Sequence, residues 1–321
     1  MKIDIVTHIV PPKYKVALGK IAPHLESHVG KVPPLYDVDR RFRIMDNYGE
    51  MKQVLTLAMT AALIFEDPKS GADLARRAND EMAELVARHP DRFAAGVASL
   101  PLTDMDAAAK ELDRAIVDLK LKGIQLFTPR KGVPLDLQGF LPIIEKMATY
   151  DLPIWIHPFR PIDRDDYRKY FVNHVFGWPY ESSAAMAYLV FDGLFERFPG
   201  IKIIIHHCGA MVPFFDQKIE GGYDASGSIH GMKEEGLNRP LLEYFKMFYA
   251  DTALSGGTAG LMCGYAFFGA DHLLFGTDMP YDSEHGSRLL RETIRSVDQM
   301  AIPDSEKKRV YEGNATRLLG L

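Results

Sequence analysis

Cysteine is nearly missing from this chain: Cys208 and Cys263 are the two among 321 residues. Two thiols cannot make a disulfide framework, so the fold must stand on its apolar core, and a reducing, cytoplasmic setting is expected. A basic excess is also missing. There are 38 Lys and Arg against 43 Asp and Glu, a formal charge of −5 with no basic stripe, which argues against nucleic acid as a partner. No apolar run approaches the roughly 18 residues of a membrane span. The start, Met1-Lys-Ile-Asp-Ile, lacks the charged and apolar stretches of a secretory signal. Gly256-Gly257 lacks the strand–GxGxxG–helix setting of a dinucleotide site. What remains is a chain that is 47% hydrophobic, ample for one large core, and α/β barrels of this length form a single unit over 1–321.

The apolar pattern alternates strands and helices. Short β-branched runs predict strands at 3–8, 53–59, 92–100, 123–127, 153–156, 201–205, 247–251 and 273–275. Amphipathic stretches predict helices at 73–89, 104–119 and 137–150, with Asp104 as an N-cap and Pro90 as a stop. Further helices are expected at 39–49, 182–198, 259–268, 287–300 and 305–318. Residues 13–36 carry Pro23, Pro33, Pro34, Gly19 and Gly30 and read as an irregular insertion after the first strand, a loop or lid. Residues 212–245 read as mixed, with a flexible Gly221-to-Gly227 stretch. Eight strands in strict alternation with helices predict parallel pairing and a closed (β/α)8 TIM-type barrel.

In such a barrel every strand C-terminus points to one mouth. His8, His157, His207 and Asp278 all fall at strand ends, from strands one, five, six and eight. One such histidine is as often a simple cap. Three plus an aspartate in one register are the nitrogen and oxygen donors that a divalent ion takes. His206 and His207 are adjacent, so on a strand one faces the mouth and the other packs toward helices. Cys208 reads as a small buried residue. Arg160, Arg164 and Arg168 follow His157; the bland reading pairs them with Asp163, Asp165 and Asp166, and Arg160 is the best placed to grip a substrate carboxylate. Asp282, Glu284 and His285 read as ordinary loop polarity or a pocket edge.

The chain resembles the amidohydrolase superfamily, in the branch around 2-amino-3-carboxymuconate-6-semialdehyde decarboxylase. The motifs run through its length: Met1-Lys-Ile-Asp-Ile with His8; His157-Pro-Phe; Gly177-Trp-Pro-Tyr-Glu-Ser-Ser183; Ile201 to Phe214; Gly276-Thr-Asp-Met-Pro-Tyr281; and Gly313-Asn-Ala-Thr-Arg-Leu-Leu-Gly320. The resemblance implies a metal-dependent barrel with His8, His157 and Asp278 as ligands and His207 as catalytic acid/base, a role Asp278 shares. It implies a homodimer, and a divalent metal, zinc first with manganese and magnesium as alternatives. The reaction implied is non-oxidative decarboxylation of a small aromatic or unsaturated carboxylic acid. Hydrolysis of a lactone or amide, or hydration, is the alternative on the same barrel.

Two departures matter. Where the family's first strand reads His-x-His, this chain has Val6 before His8. Valine offers no donor, so His207 or water must complete the shell; a non-catalytic barrel is the third reading. His174 falls where the named decarboxylase has an aromatic at its pocket, so a different substrate, contacted by His174 and Arg160, is expected.

Overall fold

The computed structural model describes residues 1–58, 70–128, 135–159, 169–230 and 236–321. Among them the strands are β1 (Lys2–Ile9), β2 (Met51–Leu57), β3 (Phe93–Gly96, resuming after Val97 as Ala98–Ser99), β4 (Ile124–Thr128), β5 (Ile154–Pro158), β6 (Ile203–Ile205), β7 (Tyr249–Asp251) and β8 (Leu273–Leu274). The expected second strand ends on Met59, which lies outside the described residues. Each strand pairs in parallel with the next, from β1 against β2 through β7 against β8. β3 carries the ladder across its break, since Val97 N donates to Leu55 O and Ala98 N to Gly123 O, both at 2.9 Å.

The cylinder closes between β1 and the chain around β8. Ile5 N donates to Phe275 O at 2.9 Å, Asp278 N to Val6 O at 3.0 Å and His8 N to Met279 O at 2.8 Å. Asp4 reinforces this seam. Its carboxylate accepts from Thr277 N at 3.0 Å and Thr277 Oγ1 at 2.6 Å. With all eight strands paired and the last tied to the first, the (β/α)8 architecture is realised.

Side-chain alternation splits the core in two. Ile154, Ile156, Ile203 and Ile205 pack outward with the helices. Trp155 and Ile204 pack instead with Ile3, Ile5, Val6, Val54, Tyr249 and Leu274. Trp155 Nε1 donates to Ile5 O at 3.0 Å, a bond between β5 and β1 that runs across the barrel interior. Ala315, Leu318 and Leu319, from the last helix, belong to the same inner cluster.

Three expectations are corrected. Residues 13–36 are helical, as Pro12–Ile21, Pro23–Gly30 and the turn Pro33–Leu35. The prolines read as breakers sit in first turns, where a missing N–H costs nothing and the fixed φ suits the helix. The stretch around Gly221 is also helical, Asp216–His230. Glycine weakens a helix by about 1 kcal/mol each, and here packing outweighs propensity: Tyr223 stacks on Phe191 with ring centroids 5.6 Å apart. The helix expected over 182–198 begins earlier, as Trp178–Phe191, and breaks at Gly193 (φ +75°) before Leu194–Arg197.

Candidate metal centre and active site

His8 lies near the end of β1 and His157 near the end of β5, while Asp278 follows β8. One donor atom from each lies within 4.8 Å of the other two, close enough to share one metal ion. His8 Nε2 and Asp278 Oδ1 are 2.8 Å apart, and the His8 and His157 rings have centroids 5.1 Å apart. Each imidazole is oriented from behind. His157 Nδ1 donates to Pro158 O at 2.7 Å, which leaves the Nε2 lone pair free. His8 Nδ1 is 3.1 Å from Thr56 Oγ1. Fixing one ring nitrogen so that the other faces the ion is the outer-shell arrangement of metal-ligating histidines.

The electrostatics suit a cation. Burial, helped by His206 and His8, lowers His157 well below the ordinary imidazole value, so it stays neutral, the form that binds metal. Burial pushes the Asp278 carboxyl up, but the His8 hydrogen bond and the nearby His8 and His207 rings outweigh it and hold it below the usual carboxylate range. Two imidazoles and a carboxylate fit a divalent ion. Val6 adds nothing to them: it is fully buried in the inner apolar cluster, and a Cβ on Gly276 would come within 3.0 Å of its methyl.

These residues floor a cavity of about 670 Å³. His207 lines it, its ring roughly parallel to Trp178 with centroids 6.3 Å apart. Burial lowers His207 below the ordinary imidazole value, with Asp278 opposing. His174 lines the same cavity, its ring 3.8 Å from that of Trp178. Arg160, Arg164 and Arg168 lie outside the described residues. Asp282 does not edge the cavity; its carboxylate accepts from Glu284 N and Leu289 N at the start of Ser287–Asp298. Cys208 is buried and its thiol is pushed up by that burial, as expected of an inert packing residue.

His206 does not pack toward the helices, as alternation between neighbours predicts. The strand ends at Ile205, and His206 continues the inward register of Ile204, its ring 4.7 Å from that of His157. His207 then takes a positive φ of 59°, which swings it into the same mouth. A turn in left-handed geometry thus lets both histidines reach one site.

Sequence reasoning missed four contributors. Thr56 orients His8, and Tyr281 lies over it with ring centroids 5.6 Å apart. Asp251 stands 2.9 Å from His206 Nδ1. It was findable, being an acid at the end of a strand, as Asp278 follows one. The buried Arg41 donates to His8 O at 2.8 Å and Gln53 Oε1 at 2.7 Å, bracing the ligand from below. An arginine on an amphipathic helix gives no signal of that.

Known proteins resemble this chain along most of its length. A family model described as amidohydrolase matches residues 3–321. The gamma-resorcylate decarboxylase of Polaromonas sp. is 30% identical over 295 residues, 88% of this chain and 87% of that protein. The 2-amino-3-carboxymuconate-6-semialdehyde decarboxylase of Dictyostelium discoideum is 28% identical over 286 residues, 89% of this chain and 77% of that one. Among solved structures, a dihydroxybenzoic acid decarboxylase from Polaromonas with bound manganese and the inhibitor 2-nitroresorcinol superposes with a TM-score of 0.79. It is 28% identical, and the match covers 100% of this chain and 97% of that one. With a whole-length family match on a parallel barrel that gathers histidines and an aspartate at its mouth, the chain belongs to the amidohydrolase family.

Proposed function

We propose that the protein is a metal-dependent, non-oxidative decarboxylase of a small aromatic or unsaturated carboxylic acid. The observation that carries this reading is the His8–His157–Asp278 cluster on the floor of a cavity walled by rings, in a chain whose relatives are decarboxylases. When bound, a divalent ion there acts as a Lewis acid toward substrate oxygens. The manganese in the Polaromonas structure puts manganese ahead of zinc, and the mixed nitrogen and oxygen donors accept either.

The protein's own groups do the rest. His8, His157 and Asp278 hold the ion. Trp178, His174 and Tyr281 offer faces and edges against which a flat ring stacks. His207 in its imidazolium form delivers a proton to the ring carbon that bears the carboxylate. Its lowered pKa makes that imidazolium a stronger acid, and Asp278 opposes the loss of charge. As the C–C bond breaks, its electron pair returns to the ring and CO2 leaves. His207 regains its proton from water. A homodimer in the cytoplasm is part of the proposal; light scattering checks the dimer.

The test is direct. Manganese-loaded protein is offered hydroxybenzoic acids with a hydroxyl beside the carboxylate, and CO2 release is followed. Wild type releases CO2; His157→Ala loses bound metal and activity, while His207→Ala keeps metal and loses turnover. Hydrolysis of lactones by metal-loaded protein that releases no CO2 from any acid would overturn the reading.

A further inference from the structure

The metal centre is one protein ligand short, because Val6 presents only methyls. We propose that His206 supplies the missing ligand through Nε2, giving a shell of three imidazoles and one carboxylate drawn from β1, β5, β6 and β8. The inference rests on the reading of His8, His157 and Asp278 as a metal site.

Three observations lead to it. First, His206 points into the barrel next to His157. Its ring centroid is 4.7 Å from that of His157, against 5.1 Å between His8 and His157. Two imidazoles sharing an ion at about 2.1 Å have ring centres about 4.5–5.3 Å apart for ligand angles between square and tetrahedral. Second, His206 is 2% exposed, and its Nε2 has no hydrogen-bond partner among the described residues. A buried imidazole nitrogen left unpaired is costly, and a lone pair turned to a cation removes that cost.

Third, the opposite nitrogen is held by a buried carboxylate. Nδ1 lies 2.9 Å from Asp251 Oδ2, an ion-pair distance without the alignment of a hydrogen bond. Asp251 is itself fixed, since Oδ1 accepts from Cys208 N at 3.1 Å and Ala253 N at 2.9 Å. A carboxylate behind a histidine whose other nitrogen faces the ion is the outer-shell pattern that raises ligand basicity. A histidine that only filled space would not need a fully buried aspartate behind it.

His206 stands outside the set of donors already within 4.8 Å of one another, so ligation draws its ring inward from the position seen here. The exchange is consistent with the sequence: β1 gives up a donor at Val6, and β6 brings two adjacent histidines where one suffices for proton transfer. His207 is thereby left free for the substrate.

The experiment loads the full-length protein with Co2+ and counts imidazoles by X-ray absorption, with affinity measured by chelator competition. Wild type shows three imidazoles. His206→Ala shows two and binds Co2+ at least about tenfold to 100-fold more weakly, the range for losing even an outer-shell partner. His207→Ala keeps three. Val6→His in the His206→Ala background restores the third imidazole. A wild-type count of two, or a count and affinity unchanged in His206→Ala, would overturn the proposal while leaving the three-residue metal site intact. Wild type that binds no Co2+ at all would overturn the metal site and this inference together. Should His206→Ala fail to fold, the wild-type count alone decides.

Discussion

Thr56→Val isolates the tautomer of His8. The threonine is fully buried, its Oγ1 donates to Thr7 O at 3.2 Å, and it sits 3.1 Å from His8 Nδ1. A hydroxyl committed to a carbonyl can only accept from the imidazole, so it favours the Nδ1–H tautomer, which turns the Nε2 lone pair to a bound ion. Valine keeps the volume and removes the acceptor. Nothing behind the ring then competes with Asp278 Oδ1, which accepts from Nε2–H at 2.8 Å. Apo stability falls by about 1 kcal/mol, the cost of the lost Thr7 bond. The metal-binding tautomer then has no acceptor for its Nδ1–H, so affinity falls about 10–100-fold, equivalent to about 1.4–2.7 kcal/mol. Chelator competition with Mn2+ or Co2+ reads the affinity, a thermal melt reads the stability, and Thr56→Ser is the control that keeps the hydroxyl. A Thr56→Val protein that melts near wild type and binds metal within about twofold of it would refute the assignment.

Burial pushes the Asp4 carboxyl up to about 7, with bonds from Thr277 and Val6 and the charge of Arg41 working the other way. A folded value above the unfolded 3.8 means stability is fully present below that value and is lost as pH rises toward 7. Asp4→Asn therefore flattens this part of the profile, and urea unfolding from pH 4.5 to 8 should show the mutant gaining on wild type; parallel curves would contradict it. Gly209→Ala must accept φ +75° and a Cβ 2.5 Å from the Phe268 ring, so it should lose about 2–4 kcal/mol in a denaturant titration. Trp178→Ala removes a wall of the cavity that carries no proton or metal, so KM should rise more than kcat falls; the reverse split would place Trp178 in the chemistry.

The barrel was legible because its strands are short β-branched runs separated by helices with clear caps, as at Asp104, whose side chain accepts from Ala107 N. The three donors were legible because strand ends in a barrel converge whatever their sequence separation, 270 residues between His8 and Asp278. What sequence could not give was local backbone geometry. The prolines near 12, 23 and 33 begin helices only because each falls in a first turn. His206 and His207 share one mouth only because the chain leaves β6 through positive φ at His207 and Cys208. Alternation separates neighbours only within a strand, and β6 ends at Ile205, before either histidine. Nor could sequence show which groups stand behind the ligands, since Thr56, Asp251 and Arg41 come from three elements brought together only by closure.

That closure ties the site to the fold. His8 and Asp278 lie on the two sides of the seam where the last strand meets the first, and their backbones bond across it, His8 N to Met279 O and Asp278 N to Val6 O. An ion shared by their side chains therefore bridges the join that completes the cylinder. Val6 occupies the same seam one layer below, packed against Gly276, where an added Cβ would approach Val6 and Asp251 to 3.0 Å. At that level the join is held by apolar packing and by Asp4 bound to Thr277, which need no ion. Losing a donor at Val6 thus leaves barrel closure intact. The proposed ligand shell can draw its fourth donor from β6 because β1 is already held by the layer beneath.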